Sequence, residues 1–257
     1  MKQIVKYLIS FIILGSSTVL LNSCSSEDAN DCFQTEGQLQ QEEIILAGFN
    51  KIRIEEGVQL LLRQGQSQQV ILETGANLRS DVEVFLDNET LVARDNNGCN
   101  LFRDYGVTKL IVTSPNIEDI INGSSYEIRS EGTLNYPTLR LRSLVIPGFD
   151  LRKNGDFHLT LNAQDVSIVA NGSSVFYLNG TTSNLNVSFS DELPRLEARD
   201  LIAQNVSIRH VSSNHMYINP QESLTAELRG SGNVYSYNRP DIQDIQVLYT
   251  GRVIFIN

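Results

Sequence analysis

The fold is decided by two stretches of the chain, LNAQDVSIVANGSSVFYLNG at residues 161–180 and LIAQNVSIRHVSSNHMYINP at residues 201–220. At an offset of 40 they share nine residues in twenty without a gap: Leu161/Leu201, Ala163/Ala203, Gln164/Gln204, Val166/Val206, Ser167/Ser207, Ile168/Ile208, Ser173/Ser213, Tyr177/Tyr217 and Asn179/Asn219. Chance would give about one or two. Half-period echoes divide the repeat: the triplets starting at Val166, Val187, Val206 and Ala226 are spaced 21, 19 and 20 residues apart. A unit of about 20 residues holding short strands and polar corners suits one coil of a β-solenoid, whose apolar side is buried only when coils stack. Residues 40 apart then lie two rungs away on the same side, with rungs about 4.8 Å apart. The alternative is a two-sheet β-sandwich. The near-constant spacing argues against it, because sandwich loops vary in length.

The rest of the chain is equally strand-like. Ile52/Ile54, Val58/Leu60/Leu62, Val70/Leu72, Val82/Val84/Leu86, Leu91/Ala93 and Leu110/Val112 alternate with polar residues, so each set points one way on a strand. Glu56-Gly57, Gln64-Gly65, Asp87-Asn88 and Asn97-Gly98 punctuate them as turns. The expected β domain covers 44–257, with an irregular half to about 115 that caps one end and a repeat half from about 116. The run Val253-Ile254-Phe255-Ile256 is expected to close the other end.

The N-terminus gives an address. Lys2 and Lys6 precede an apolar run from Tyr7 to Leu21, followed by Leu21-Asn22-Ser23-Cys24. This is a secretory signal, expected over 1–23, and its cleavage site resembles a bacterial lipoprotein lipobox with Cys24 as the lipidated residue. The run is short for a membrane span, which needs about 20 residues. Residues 24–43 read as the lipidated cysteine and a polar tether. Ser25-Ser26-Glu27-Asp28 has no Asp directly after Cys24, and its acidic pair resembles the export signal of Bacteroidota surface lipoproteins. The expected location is the outer membrane, lipid-anchored and surface-exposed, with the periplasmic leaflet as the other placement.

Composition agrees with export. The chain has 20 Lys+Arg against 30 Asp+Glu, and removing residues 1–23 deletes two lysines and no acids, leaving a net charge of −12. Such a chain is repelled by nucleic acid and anionic headgroups, so a nucleic-acid partner is excluded. With Cys24 carrying lipid, Cys32 and Cys99 remain as an even pair in an oxidising compartment and are expected to form a disulfide. No CxxC or HxxxH spacing supports a metal site, and no motif calls for a cofactor.

The order Gly48-Phe49-Asn50-Lys51-Ile52, Gly57-Val58 and Gln64-Gly65, then Leu224-x-Ala226-x-Leu228-x-Gly230-Ser231-Gly232-Asn233-Val234-Tyr235 with Pro240 beyond, resembles the head GIN domain family (DUF2807, the auto-transporter adhesin group). Cys99-Asn100-Leu101-x-Arg103 resembles a Cys-Asn-aromatic-x-Arg segment of one lipoprotein branch, with Leu101 in place of the aromatic residue. The resemblance covers about 45–257. It implies a right-handed β-helix-like fold and adhesion as the general role. The repeat departs from Gly-Ser-Gly at Gly172-Ser173-Ser174 and Val211-Ser212-Ser213, which implies wider or less regular corners there.

Catalytic signals are weak. His158, His210 and His215 read as corner or surface residues, and no nucleophile elbow, P-loop or HExxH is present. Asp165, Asp191-Glu192 and Asp200 are the acids to weigh for a carbohydrate-active enzyme, which needs two carboxylates about 5–9.5 Å apart in a cleft. Solvated surface acids are the simpler reading. The repeat itself points to binding. With Phe176/Leu178 and Met216/Ile218 inward, Tyr177 and Tyr217 project outward in one column, two rungs apart, and Tyr235 and Tyr237 are candidates to extend it. Their expected ligand is a glycan, stacked on the rings, or a protein. The function expected is a non-enzymatic binding or adhesion module. A carbohydrate-active enzyme and a structural or sensory envelope protein are the alternatives.

Overall fold

The computed structural model of this chain describes residues 32, 34–101, 104, 106–191 and 193–256. The expected signal peptide 1–23, Cys24, Arg103 and Glu192 lie outside the described residues. Seventeen strands are present among the described residues. In chain order they are β1 (Leu39–Ile44), β2 (Lys51–Ile54), β3 (Gln59–Gln64), β4 (Gln69–Gly75), β5 (Val82–Asp87), β6 (Thr90–Asp95), β7 (Lys109–Ser114), β8 (Asp119–Asn122), β9 (Ile128–Leu134), β10 (Thr138–Ser143), β11 (Phe157–Ala170), β12 (Val175–Phe189), β13 (Arg195–His210), β14 (Met216–Leu228), β15 (Val234–Ser236), β16 (Ile242–Val247) and β17 (Val253–Phe255).

All belong to one sheet, and most pairings are parallel. One wall runs β5-β6-β2-β8-β10, continues through the C-terminal halves of β11 to β14, and ends at β16. The other runs β1-β4-β7-β3-β9, continues through the N-terminal halves of the same long strands, and ends with β15 and β17. The long strands cross both walls, so the sheet is curled nearly closed, like a barrel. Parallel neighbours usually need a crossover of a dozen or more residues. Here β11 and β12 are joined by only 171–174, so the strand itself has to turn around the core. Two separate antiparallel sheets, as in a sandwich, are not what this pairing makes. The antiparallel pairs β1–β4, β4–β7 and β5–β6 all sit at the starting end.

The 40-residue period is a register fact. Val166 pairs with Leu185 and Leu185 with Val206, two rungs in all. The half-period triplets divide it differently from the structure. Val187 pairs with Ile168 and Ile208, two residues from the position the triplets suggest. The displacement is even, so the same side chains still face inward. Inside, Phe157 stacks on Phe176 with ring centroids 4.6 Å apart, and Leu159/Leu178, Leu185, Val206 and Leu224 are buried in neighbouring columns. Fully burying each such side chain contributes roughly 1.5–3 kcal/mol.

One polar ladder and two buried serine contacts link neighbouring strands. Asn184 Nδ2 donates to Asp165 Oδ1 (2.8 Å), Asn205 Nδ2 to Asn184 Oδ1 (3.3 Å), and Ser223 Oγ to Asn205 Oδ1 (2.7 Å). At one corner Ser143 and Ser174 share a hydroxyl hydrogen bond of 2.7 Å, and Ser212 Oγ donates to the Pro194 carbonyl (3.1 Å). All three serines are fully buried. Ser174, which stands in place of the second glycine, thus supplies a hydroxyl that is satisfied inside a buried turn.

The expected tether ends earlier than residue 43. Leu39–Ile44 is β1, paired antiparallel with β4, and Gln34 is buried with its Nε2 donating to the Asn77 carbonyl (2.9 Å). Cys32 and Cys99 form the expected disulfide, which ties this entry segment to the loop after β6.

Gly180 lies within β12 at φ +106°, and a Cβ there would fall 2.0 Å from the Leu161 carbonyl oxygen of the rung before. Gly180→Val should therefore both strain the backbone and push two rungs apart, lowering stability by about 2 kcal/mol or more in denaturant titration. A change within a few tenths of a kcal/mol would contradict the pairing of Gly180 with Leu161.

Candidate functional site

The outward face next to the Phe157/Phe176 column carries one continuous line of side chains. Strand pairing sets Arg129, His158, Tyr177, Glu197, Tyr217, Tyr235 and Ile254 side by side on successive rungs. The inward neighbours Phe176, Leu178, Met216 and Ile218 are buried, as strand alternation requires. The expected column of Tyr177 and Tyr217, two rungs apart, is thus present, and Tyr235 extends it directly. Tyr237 also faces solvent, 37 % exposed, two residues further along that rung.

The rings stack on one another. His158 lies on Tyr177 with centroids 4.5 Å apart and planes 12° apart. Tyr217 lies on Tyr235 at 5.1 Å and 13°. His215 meets Tyr235 edge-on at 5.3 Å and accepts the Asn233 backbone N–H at Nδ1 (3.1 Å). Arg195 and Arg199 each place a guanidinium carbon 5.4 Å from the Tyr217 ring centre, and Arg199 also lies 5.6 Å from that of Tyr237. Between the two stacked pairs sits Glu197, nearly buried. It accepts from Arg195 Nε (2.7 Å) and from an Arg199 terminal nitrogen (3.1 Å). Its own hydrogen bond to Glu197 pushes the Arg199 guanidinium further up from its already high pKa, with the Tyr237 phenol contributing next.

This geometry changes the expected chemistry of the tyrosines. A sugar stacks on an open ring face, yet Tyr217 is faced by Tyr235 and by two guanidiniums. Phenol edges, hydroxyls and guanidinium N–H groups are what the column offers. Cation–π and aromatic contacts of this sort hold side chains still, at about 0.5–1 kcal/mol each on an exposed surface.

Sequence reasoning found the tyrosines through the repeat and missed Glu197, Arg195, Arg199, His158 and His215. The first three lie on β13, the strand that a 40-residue offset skips. Arg199 also sits where β13 holds extra residues against β14, since the register shifts between Glu197 and Ile202. Bulges re-aim side chains, and this one carries Arg199 over both Tyr217 and Tyr237.

The remaining candidates fall elsewhere. Asp165 is the first member of the amide ladder, and Asp191 and Asp200 are exposed. A polar hollow of about 440 Å³ near the starting end is lined by Asp95, Asn97, Asp104, Tyr126 and Arg152 among others. Its Asp95 carboxylate is already used, accepting from the Asn97 backbone N–H (2.9 Å) and Thr108 Oγ1 (2.6 Å). Among the described residues, no group of three or more His, Cys, Asp or Glu side chains converges as a metal site would.

The chain matches the sequence profile of the family described as "Putative auto-transporter adhesin, head GIN domain" over residues 48–240. No curated protein matches it. Among solved structures it is similar to a "putative adhesin" from Bacteroides fragilis, with 18 % identity over 86 % of this chain and 99 % of that one and a TM-score of 0.75. A "putative adhesin" from Parabacteroides distasonis gives 14 % identity, the same coverage and a TM-score of 0.64. A "putative lipid binding protein" from the same species gives 14 % identity over 87 % of this chain and 99 % of that one, with a TM-score of 0.57. At these identities the likeness is one of fold.

His210 departs from its expected place at a surface corner. It is fully buried beside Phe189, its Nε2 donates to the Asn214 carbonyl (2.9 Å), and burial pushes its pKa down to about 4. Between about 4 and the ordinary 6.5 the unfolded chain holds a proton that the folded chain does not, so stability rises with pH across that window. Acidification through it should cost on the order of 3 kcal/mol. In His210→Phe the melting temperature should fall less over the same range. An equal fall in both proteins would place the acid sensitivity elsewhere.

Proposed function

Since this chain belongs to the head GIN domain family, DUF2807, we propose that it is a lipid-anchored, non-enzymatic binding protein of the outer membrane, displayed on the cell surface. The fold proposed for it is a right-handed parallel β-helix of about 20-residue coils. The short connections between long parallel strands support that winding, and right-handed crossovers are the strong rule for parallel strands. Cys24 is the proposed lipid attachment, and the segment between it and Cys32 holds the domain off the membrane.

The single observation that carries the binding role is the outward column Tyr177–Glu197–Tyr217–Tyr235 with Arg195, Arg199 and Tyr237 packed onto it. Tyr and Arg dominate recognition surfaces because they give large contact area and hydrogen bonding at low entropy cost. Here stacking and the shared Glu197 carboxylate have already fixed them, so a partner does not have to order them. The partner that suits this surface meets phenol edges and guanidinium donors. It is a protein, or a glycan held by hydrogen bonds to its hydroxyl or carboxylate groups.

Two experiments test this reading. Screened on glycan and protein arrays, the chain should bind a partner that the Tyr217→Ala and Arg199→Ala variants hold at least about tenfold more weakly. Their melting temperatures should stay close to that of the parent. Undiminished binding by both variants would remove the column from consideration. Protease added to intact cells should digest the domain, and Cys24→Ala should release it from the membrane fraction. Protection until the envelope is breached would place it on the periplasmic side and favour a structural or sensory role.

A further inference from the structure

The sheet does not close at its far end. β16 pairs along β14 and β17 along β15, and among the described residues neither has a partner on its other side. Natural edge strands are usually protected by lysine, proline, a bulge or a cover. β16 reads Ile242-Gln243-Asp244-Ile245-Gln246-Val247, with neither lysine nor proline, and its register against β14 runs without a shift. Its apolar side chains are on display, with Ile242 68 % and the following Leu248 54 % exposed.

The register tells which way each side chain points. Gln243, Ile245 and Val247 continue the inward columns of Leu224, Ala226 and Leu228, whereas Ile242, Asp244, Gln246 and then Leu248 continue the outward ones. We propose that this edge is the docking site for a second copy of the chain, joined strand to strand and antiparallel across a twofold axis at Ile245. In that arrangement Ile245 meets its own counterpart, Gln243 meets Val247, Asp244 meets Gln246 and Ile242 meets Leu248. Inward residues face inward in both copies, so the core of one runs on into the other.

Charge selects this register. A twofold shifted one way, onto Asp244, sets two carboxylates directly opposite each other, which is destabilising. Shifted the other way, onto Gln246, it sets Asp244 against Leu248. Registers of odd offset turn the inward face of one copy onto the outward face of the other. Only the Ile245 axis gives the one charge on the strand a hydrogen-bonding partner, the Gln246 amide, and matches the exposed Ile242 with an apolar neighbour. This self-complementarity is the signature of an isologous contact. Because β1 lies at the opposite end of the stack, the paired form carries its two β1 strands at opposite poles. With the anchoring proposed above, two copies so joined would be held on facing surfaces.

The test is site-directed cross-linking of the full-length chain on cells pelleted together so that their surfaces meet, under mild oxidation. Ile245→Cys should give a species of twice the chain mass that collapses on reduction. Ile242→Cys alone should give none, whereas Ile242→Cys expressed together with Leu248→Cys should. The purified parent chain should sediment as a dimer, and Ile245→Lys as a monomer with unchanged circular dichroism. Cross-linking of Ile245→Cys no stronger than that of Ile242→Cys would overturn the proposal. So would its capture of a different protein, or a parent chain that stays monomeric at high micromolar concentration.

Discussion

Parallel, in-register hydrogen bonding between successive long strands is the constraint on which everything else in this protein rests. Each strand is laid on the one before with backbone groups paired, so a residue's column is fixed by its position along the strand. Like then stacks on like: Phe157 on Phe176 inside, Asp165 on Asn184 on Asn205 along one side, Tyr217 on Tyr235 outside. The apolar columns supply the burial that a single strand cannot, and the amide ladder and buried serine hydroxyls satisfy polar groups. A residue that crowds a column is costly for the same reason, as the close approach at Gly180 illustrates.

The outward aromatic column is a by-product of that order. Outward residues on adjacent rungs are about 4.8 Å apart, close to the separation at which aromatic rings stack. His158 and Tyr177 form one such pair, Tyr217 and Tyr235 another, and Glu197 fills the rung between them with its two arginines. Self-stacking covers ring faces and leaves phenol edges and guanidinium N–H groups toward solvent. The regularity that builds the column also leaves β16 and β17 on the last rung with one edge unpaired among the described residues.

Much of the fold was legible in the sequence. The strand alternation named the inward residues Ile52, Leu60, Leu72, Leu110, Phe176 and Met216, all of which are buried. The 40-residue repeat placed Tyr177 and Tyr217 in one column, and the even cysteine count paired Cys32 with Cys99. The division of the repeat was less legible. The Val-Ser-Ile type triplets put Val187 level with Val166, whereas the chain pairs it with Ile168, because backbone bonding sets register and tolerates many side chains on the same face. Residues 39–43 looked like tether because they are polar, yet β1 needs no apolar face where it lies across β4 at the exposed start of the sheet.

What the sequence determined by itself is the strand character, the 40-residue register, the inward set and the repeat of the tyrosines, since these follow from periodicity written locally along the chain. What only the tertiary structure decided is which residues fill the rung between repeats, that a bulge in β13 swings Arg199 over Tyr217 and Tyr237, and that His210 is buried while His158 and His215 join the aromatic column. These depend on contacts between residues about 20 positions apart, and a bulge leaves no mark in composition or pattern while it re-aims the side chains within it.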